Sequence, residues 1–86
     1  MPEISRFLGI IIYMYFNDHN PPHFHVQYNN FKAIIDIEKL AIIGGSLPAR
    51  VLGMVVEWAE LNQMALKTNW ESLIKTGNYS KIAPLV

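Results

Sequence analysis

Residues Asn17 to Tyr28 read NDHNPPHFHVQY, and this stretch gathers all three histidines of the chain. His23 and His25 stand two apart, the spacing that puts two side chains on one face of a strand. An imidazole titrates near neutral pH, so it can act as a general acid or base, and it can ligate a divalent ion. Two such rings with a carboxylate nearby suit zinc or another metal that accepts nitrogen and oxygen, which makes His23, His25 and Asp18 the candidate metal ligands. Pro21 and Pro22 have fixed φ angles that reduce the entropy lost when the loop bearing Asp18 and His19 is ordered.

The second carboxylate comes from pairing. Asn29 and Asn30 tolerate the positive φ angles of a two-residue type I′ hairpin. A turn there fixes the register: Tyr28 faces Phe31, Gln27 faces Lys32, Val26 faces Ala33, His25 faces Ile34, Phe24 faces Ile35 and His23 faces Asp36. Alternation then puts Phe24, Val26, Tyr28, Phe31, Ala33 and Ile35 on an apolar side, and His23, His25, Gln27, Lys32 and Asp36 on the other. Opposed Cβ atoms lie ~5 Å apart, so Asp36 can reach the His23 ring and orient it. The candidate catalytic set is His23, His25 and Asp36, and the candidate binding residues are Asp18, His19, Gln27, Lys32 and, on a later helix, Arg50. The plain structural alternative is a half-polar strand surface whose His23–Asp36 pair is worth under ~1 kcal/mol.

These positions depend on elements the pattern predicts. Ile10 to Phe16 is β-branched and aromatic and reads as a first strand; Tyr13 and Tyr15 share one of its faces, but the sequence does not fix whether that face joins the histidines. Pro22 lacks a ladder donor and so precedes a second strand, His23 to Tyr28. A third runs from Phe31 to Ile37, and Leu40 to Ile43 suits a short fourth. After Gly44 and Gly45, Ser46 is placed to cap a helix with Pro48 in its first turn. Val51, Val55, Trp58 and Ala59 recur at helical spacing, and that helix should run to about Thr68. A shorter helix from Trp70 to Thr76 should stop at Gly77, with an extended tail after Lys81. The expected fold is α+β: a small antiparallel meander of three to four strands, one long helix on one face and a short second helix, in a single domain over residues 1–86. Trp58 and Trp70 read as core anchors, and Glu57 and Glu60 as a solvated helix face.

Composition removes several classes of function. Seven Lys and Arg balance seven Asp and Glu, and the cations are scattered, which argues against a dedicated duplex DNA binder while leaving a local RNA contact open. Cysteine is absent, excluding disulfides and thiolate metal sites. The apolar run from Leu8 to Phe16 is shorter than the ~20 residues a bilayer span needs, and MPEISRFLG does not resemble a basic secretory leader, so a cytoplasmic protein is expected. Hydrophobic residues make up 51% of the chain, more than a small domain can bury, so some apolar surface should meet another chain. Gly44 and Gly45 lack a phosphate-cradling pattern, and no serine sits in a nucleophile elbow.

The segments ISRFLGIIIYMYFNDHNPPHFHVQY, AIIDIE, LPAR and VVEWAELN resemble a small bacterial and archaeal family, domain of unknown function 4160. The resemblance runs from Pro2 to Leu85, and its DHxPPHFH core is matched by Asp18, His19, Pro21, Pro22, His23, Phe24 and His25. It departs where relatives commonly carry an acidic residue at Gln27 and a histidine at Asn62. The resemblance implies no established activity. It does imply a small partner protein encoded nearby, in pairs that suit toxin and antitoxin modules. Some relatives are labelled transcriptional regulators, yet this chain offers no recognisable DNA-reading helix. The expected function is therefore a small cytoplasmic interaction protein, pairing with that partner or with itself. The alternative is a histidine and aspartate dependent hydrolase or endoribonuclease, with a divalent metal as the cofactor that would suit it.

Overall fold

The computed structural model describes residues 2–15 and 19–86. Among these, five strands form one antiparallel sheet in chain order: β1 (Glu3–Phe7), β2 (Ile10–Tyr13), β3 (His23–Tyr28), β4 (Phe31–Asp36) and β5 (Ile42–Gly45). Two helices follow, α1 (Ala49–Leu61) and α2 (Gln63–Thr76). The α+β class and the meander are as expected; the strand count and the helix lengths are not.

The additional strand is β1. Phe7 pairs with Ile10 across a two-residue turn in which Leu8 and Gly9 both have positive φ, 50° and 78°. Two left-handed residues match the twist of the flanking strands. Leucine at the first of these positions is no turn signal, so the reversal is hidden in the sequence. The β3–β4 pairing follows the expected register at every position from His23↔Asp36 to Tyr28↔Phe31. Its turn differs, because only Asn29 takes positive φ, at 51°, and a type I′ turn requires both central residues to do so.

The expected fourth strand, Leu40 to Ile43, is displaced to Ile42–Gly45. Leu40 is held in the preceding turn at φ 53°, its N–H bonded to the Asp36 carbonyl at 2.8 Å. At Gly45, φ is 73° and a Cβ would collide with the Lys32 carbonyl, so the strand ends on a residue that must be glycine.

Both helices bury their apolar stripes on one face of the sheet. Val51, Val55, Trp58 and Ala59 of α1 are all buried, as their spacing predicts. Trp58 is fully buried, with its ring centroid 5.8 Å from Phe7 and 6.0 Å from Phe24. Burying a large apolar side chain contributes ~1.5–3 kcal/mol, so this layer carries much of the fold's stability.

The predicted long helix is broken at Asn62, giving helices of 13 and 14 residues. Asn62 has φ −125°, and its Nδ2 donates to the Trp58 carbonyl at 2.8 Å. Gln63 Nε2 donates to the Ile37 carbonyl at 2.7 Å and ties the junction to the sheet. The second helix ends at Gly77, left-handed at φ 78°, as its position predicts. The tail then returns to the core: Ile82 N–H donates to the Ile4 carbonyl at 2.8 Å, and Trp58 Nε1 donates to the Ala83 carbonyl at 2.9 Å.

Candidate functional site: the outer face of the sheet

The antiparallel register assembles the face opposite the helices. Tyr13 pairs with His25, His25 with Ile34, and Ile34 with Gly44. Glu3 pairs with Tyr13 at the far side, so one row of neighbours crosses the whole sheet. The next row runs Arg6, Ile11, Gln27 and Lys32. Because side chains alternate, these rows share the outer surface with His23 and Asp36.

The rings on this face pack as a cluster. His25 stacks on Tyr13 with centroids 5.2 Å apart and planes 15° apart, and meets Tyr15 edge-on at 4.7 Å. His23 lies 5.2 Å from His25 and 5.0 Å from Trp70 of α2, which shelters this end of β3. The question left open by the sequence is answered by the β2–β3 register: Tyr13 and Tyr15 join the histidines. Trp70 joins them too, although its spacing signals only a core anchor. It is both, being 4% exposed.

His23 Nδ1 lies 2.7 Å from the Pro21 carbonyl. A carbonyl can only accept, so the proton sits on Nδ1, and in the neutral ring Nε2 is the basic nitrogen. The loop thus orients the ring of His23 from its own backbone. Asp36 stands across the ladder from His23, as predicted, and is buried at 5% exposure. Its Oδ1 accepts the N–H groups of Glu38 at 2.7 Å and Lys39 at 2.9 Å. The carboxylate therefore shapes the β4–β5 turn, a role the sequence did not signal.

The remaining candidates fall in different places. Gln27 and Lys32 face each other on the outer surface, Gln27 half-buried and Lys32 exposed. His19 is exposed in the loop before β3. Arg50 is exposed in the first turn of α1, in the helical layer, so it is not on the histidine face. Asp18 lies outside the described residues. Among the described residues, no three His, Cys, Asp or Glu side chains gather closely enough to hold a metal ion. Of the three ligands named from the sequence, His23 and His25 have ring centroids 5.2 Å apart.

An open depression of about 300 Å³ lies beside the cluster, lined by Tyr13, Tyr15, His25, Lys32, Ala33, Ile34, Gly44 and Gly45. Burial, followed by the neighbouring Tyr15 and a hydrogen bond with it, pushes the Tyr13 hydroxyl above its ordinary pKa, so it stays a proton donor. At the far end of the row, Arg6 Nη2 bonds Glu3 Oε1 at 2.8 Å, and this bond lowers the Glu3 carboxyl pKa.

A family model described as a domain of unknown function, DUF4160, matches residues 9–71. The chain belongs to the DUF4160 family. The matched span of this DUF4160 chain begins just before β2 and ends within α2, so it includes the histidines, Tyr13, Tyr15, Lys32, Gly44 and Trp70. No curated protein and no solved structure matches it. No helix among the described residues is long and apolar enough to cross a membrane.

Proposed function

We propose that this DUF4160 chain is a small cytoplasmic interaction protein that uses the outer sheet face to hold a partner, itself a small protein encoded nearby in a module of toxin and antitoxin type. The observation that carries this reading is the face itself. Both helices bury their apolar stripes on the other side and only Trp70 of α2 reaches the histidines, while this side carries half-buried His25, Gln27 and Ile34 and exposed Lys32 around a depression. Apolar residues are also exposed at the margins of the sheet, at 59% for Leu8 in the β1–β2 turn and 49% for Ile43 in edge strand β5. Aromatic rings and an apolar floor with a polar rim suit a protein interface. A copy of this chain is the other partner that the face would suit. Co-expression with the neighbouring gene product, followed by size-exclusion chromatography with light scattering, should give a complex that Lys32→Glu and His25→Ala weaken at least tenfold. Recovery of separate monomers from the parent pair removes the reading.

A second reading is favoured by the two imidazoles at 5.2 Å and the carbonyl that sets the tautomer of His23. It is hydrolysis, with RNA as the substrate class, His23 as general base and His25 as acid or phosphate contact. In a metal-dependent form of the same reading, a divalent ion on His23, His25 and Asp18 would supply Lewis acidity, and His23 would then be a ligand instead of the base. An RNA cleavage assay on the parent, His23→Ala and His25→Ala tests it; equal cleavage by all three counts decisively against it.

A further inference from the structure

We propose that the depression lined by Tyr13, Tyr15, His25, Lys32, Ile34 and Gly44 is a binding pocket for one nucleoside monophosphate unit. The inference goes beyond the partner reading and does not need it, because the described lining residues all come from this one chain.

The space exists because of one residue. Ile34 on β4 has Gly44 as its neighbour on β5, so the outer face loses a side chain where the row from Tyr13 through His25 would continue. A Cβ built at Gly44 would meet Ile34 Cδ1 at 3.4 Å, an ordinary contact, and φ there is not left-handed. The backbone does not require glycine at this position; the glycine leaves volume. About 300 Å³ is at the lower end of the range of small-ligand sites, ~300–1,000 Å³, which suits a single nucleotide rather than a larger cofactor.

The lining chemistry divides into two parts. On one side stand the Tyr13, Tyr15 and His25 rings above an Ile34 and Gly44 floor, which offers a planar heterocycle stacking and apolar contact. The Tyr13 hydroxyl is hydrogen-bonded to Tyr15, which fixes these two rings of the wall relative to each other. On the other side is Lys32. Among the described residues it forms no ion pair, whereas Arg6 and Lys81 meet Glu3, and Lys67 meets Glu38. The Lys32 ammonium is the charge among the described lining residues and attracts an anion to this side. Inorganic phosphate would leave the aromatic wall unused, and a neutral base would leave Lys32 unused. A nucleotide uses both. Free nucleotides and single-stranded RNA present the same unit, and the test separates them.

The experiment is a titration of the isolated, ¹⁵N-labelled chain with uridine monophosphate, adenosine monophosphate, a short single-stranded oligouridylate and inorganic phosphate, read by amide shifts. Saturable shifts at Tyr15, Gly44 and Gly45 are expected with at least one nucleotide probe. Tighter binding of the oligonucleotide assigns the site to RNA, and tighter binding of a mononucleotide assigns it to free ligand. Gly44→Val, which fills the space, and Lys32→Gln, which removes the cation, should each weaken binding about tenfold or more while the remaining spectrum keeps its dispersion. Four results overturn the proposal: no saturable shift with any nucleotide, shifts that map away from β5, affinity for inorganic phosphate equal to that for the nucleotides, or binding unchanged in both folded variants. A chain that captures its protein partner but no nucleotide sinks this inference alone.

Discussion

Tyr13 lies at the centre of the outer face, and its environment makes a prediction about alkaline pH. Its pKa is raised above the ordinary 10.0, first by burial and then by Tyr15. The folded state therefore holds this proton more tightly than the unfolded chain. The associated stability is fully present below about pH 10 and is lost as pH rises through the folded value. Thermal melts between about pH 8 and pH 12 should show Tm falling above pH 10, less steeply in Tyr13→Phe. Ser5 offers a second test at this scale. It is buried at 4% exposure, and among the described residues its hydroxyl has no hydrogen-bond partner. An unsatisfied buried polar group is destabilising, so Ser5→Ala should raise stability by about 1 kcal/mol in urea denaturation. At the residue scale the sequence was most informative where alternation alone decides a face. His23 and His25 are adjacent for that reason, whereas the Asp36 carboxylate goes to Glu38 and Lys39, a local turn geometry that spacing does not reveal.

The elements owe their limits to glycine and asparagine in different ways. Gly45 is left-handed and pressed on the Lys32 carbonyl, while Gly53 in α1 has open space where a Cβ would go. Gly45→Ala should therefore destabilise by about 2–4 kcal/mol through strain and collision. Gly53→Ala should instead stabilise by about 0.5–1 kcal/mol, because alanine loses less backbone entropy in a helix. Chemical denaturation of the two variants beside the parent checks the opposite signs. The helix break was not legible because asparagine is only a mild helix breaker and the apolar spacing continues through it. The bond from Gln63 to the Ile37 carbonyl is long-range in the chain, so only the packed molecule reveals it.

At the scale of the whole molecule, the tail closes the fold. Asn69 is buried at 5% exposure and bonds Ser80 in both directions, Nδ2 to the carbonyl at 2.8 Å and Oδ1 from the N–H at 2.8 Å. Asn69→Ala leaves two backbone groups of Ser80 without these partners and should cost about 2 kcal/mol. Urea denaturation measures the loss, and faster proteolysis after Tyr79 should accompany it. Removing residues 80–86 should be far more damaging, since it takes away the buried Ile82 and the acceptor of Trp58 Nε1 together.

By itself, the sequence determined the α+β class, the β3–β4 register and the pairing of His23 with His25, because strand alternation and a two-residue reversal are local constraints. The left-handed Leu8 turn, the break at Asn62 and the union of Tyr13, Tyr15 and Trp70 with the histidines were decided only in three dimensions. They depend on which strand lies beside β3 and on where the second helix rests, and those contacts join residues that no short-range pattern links.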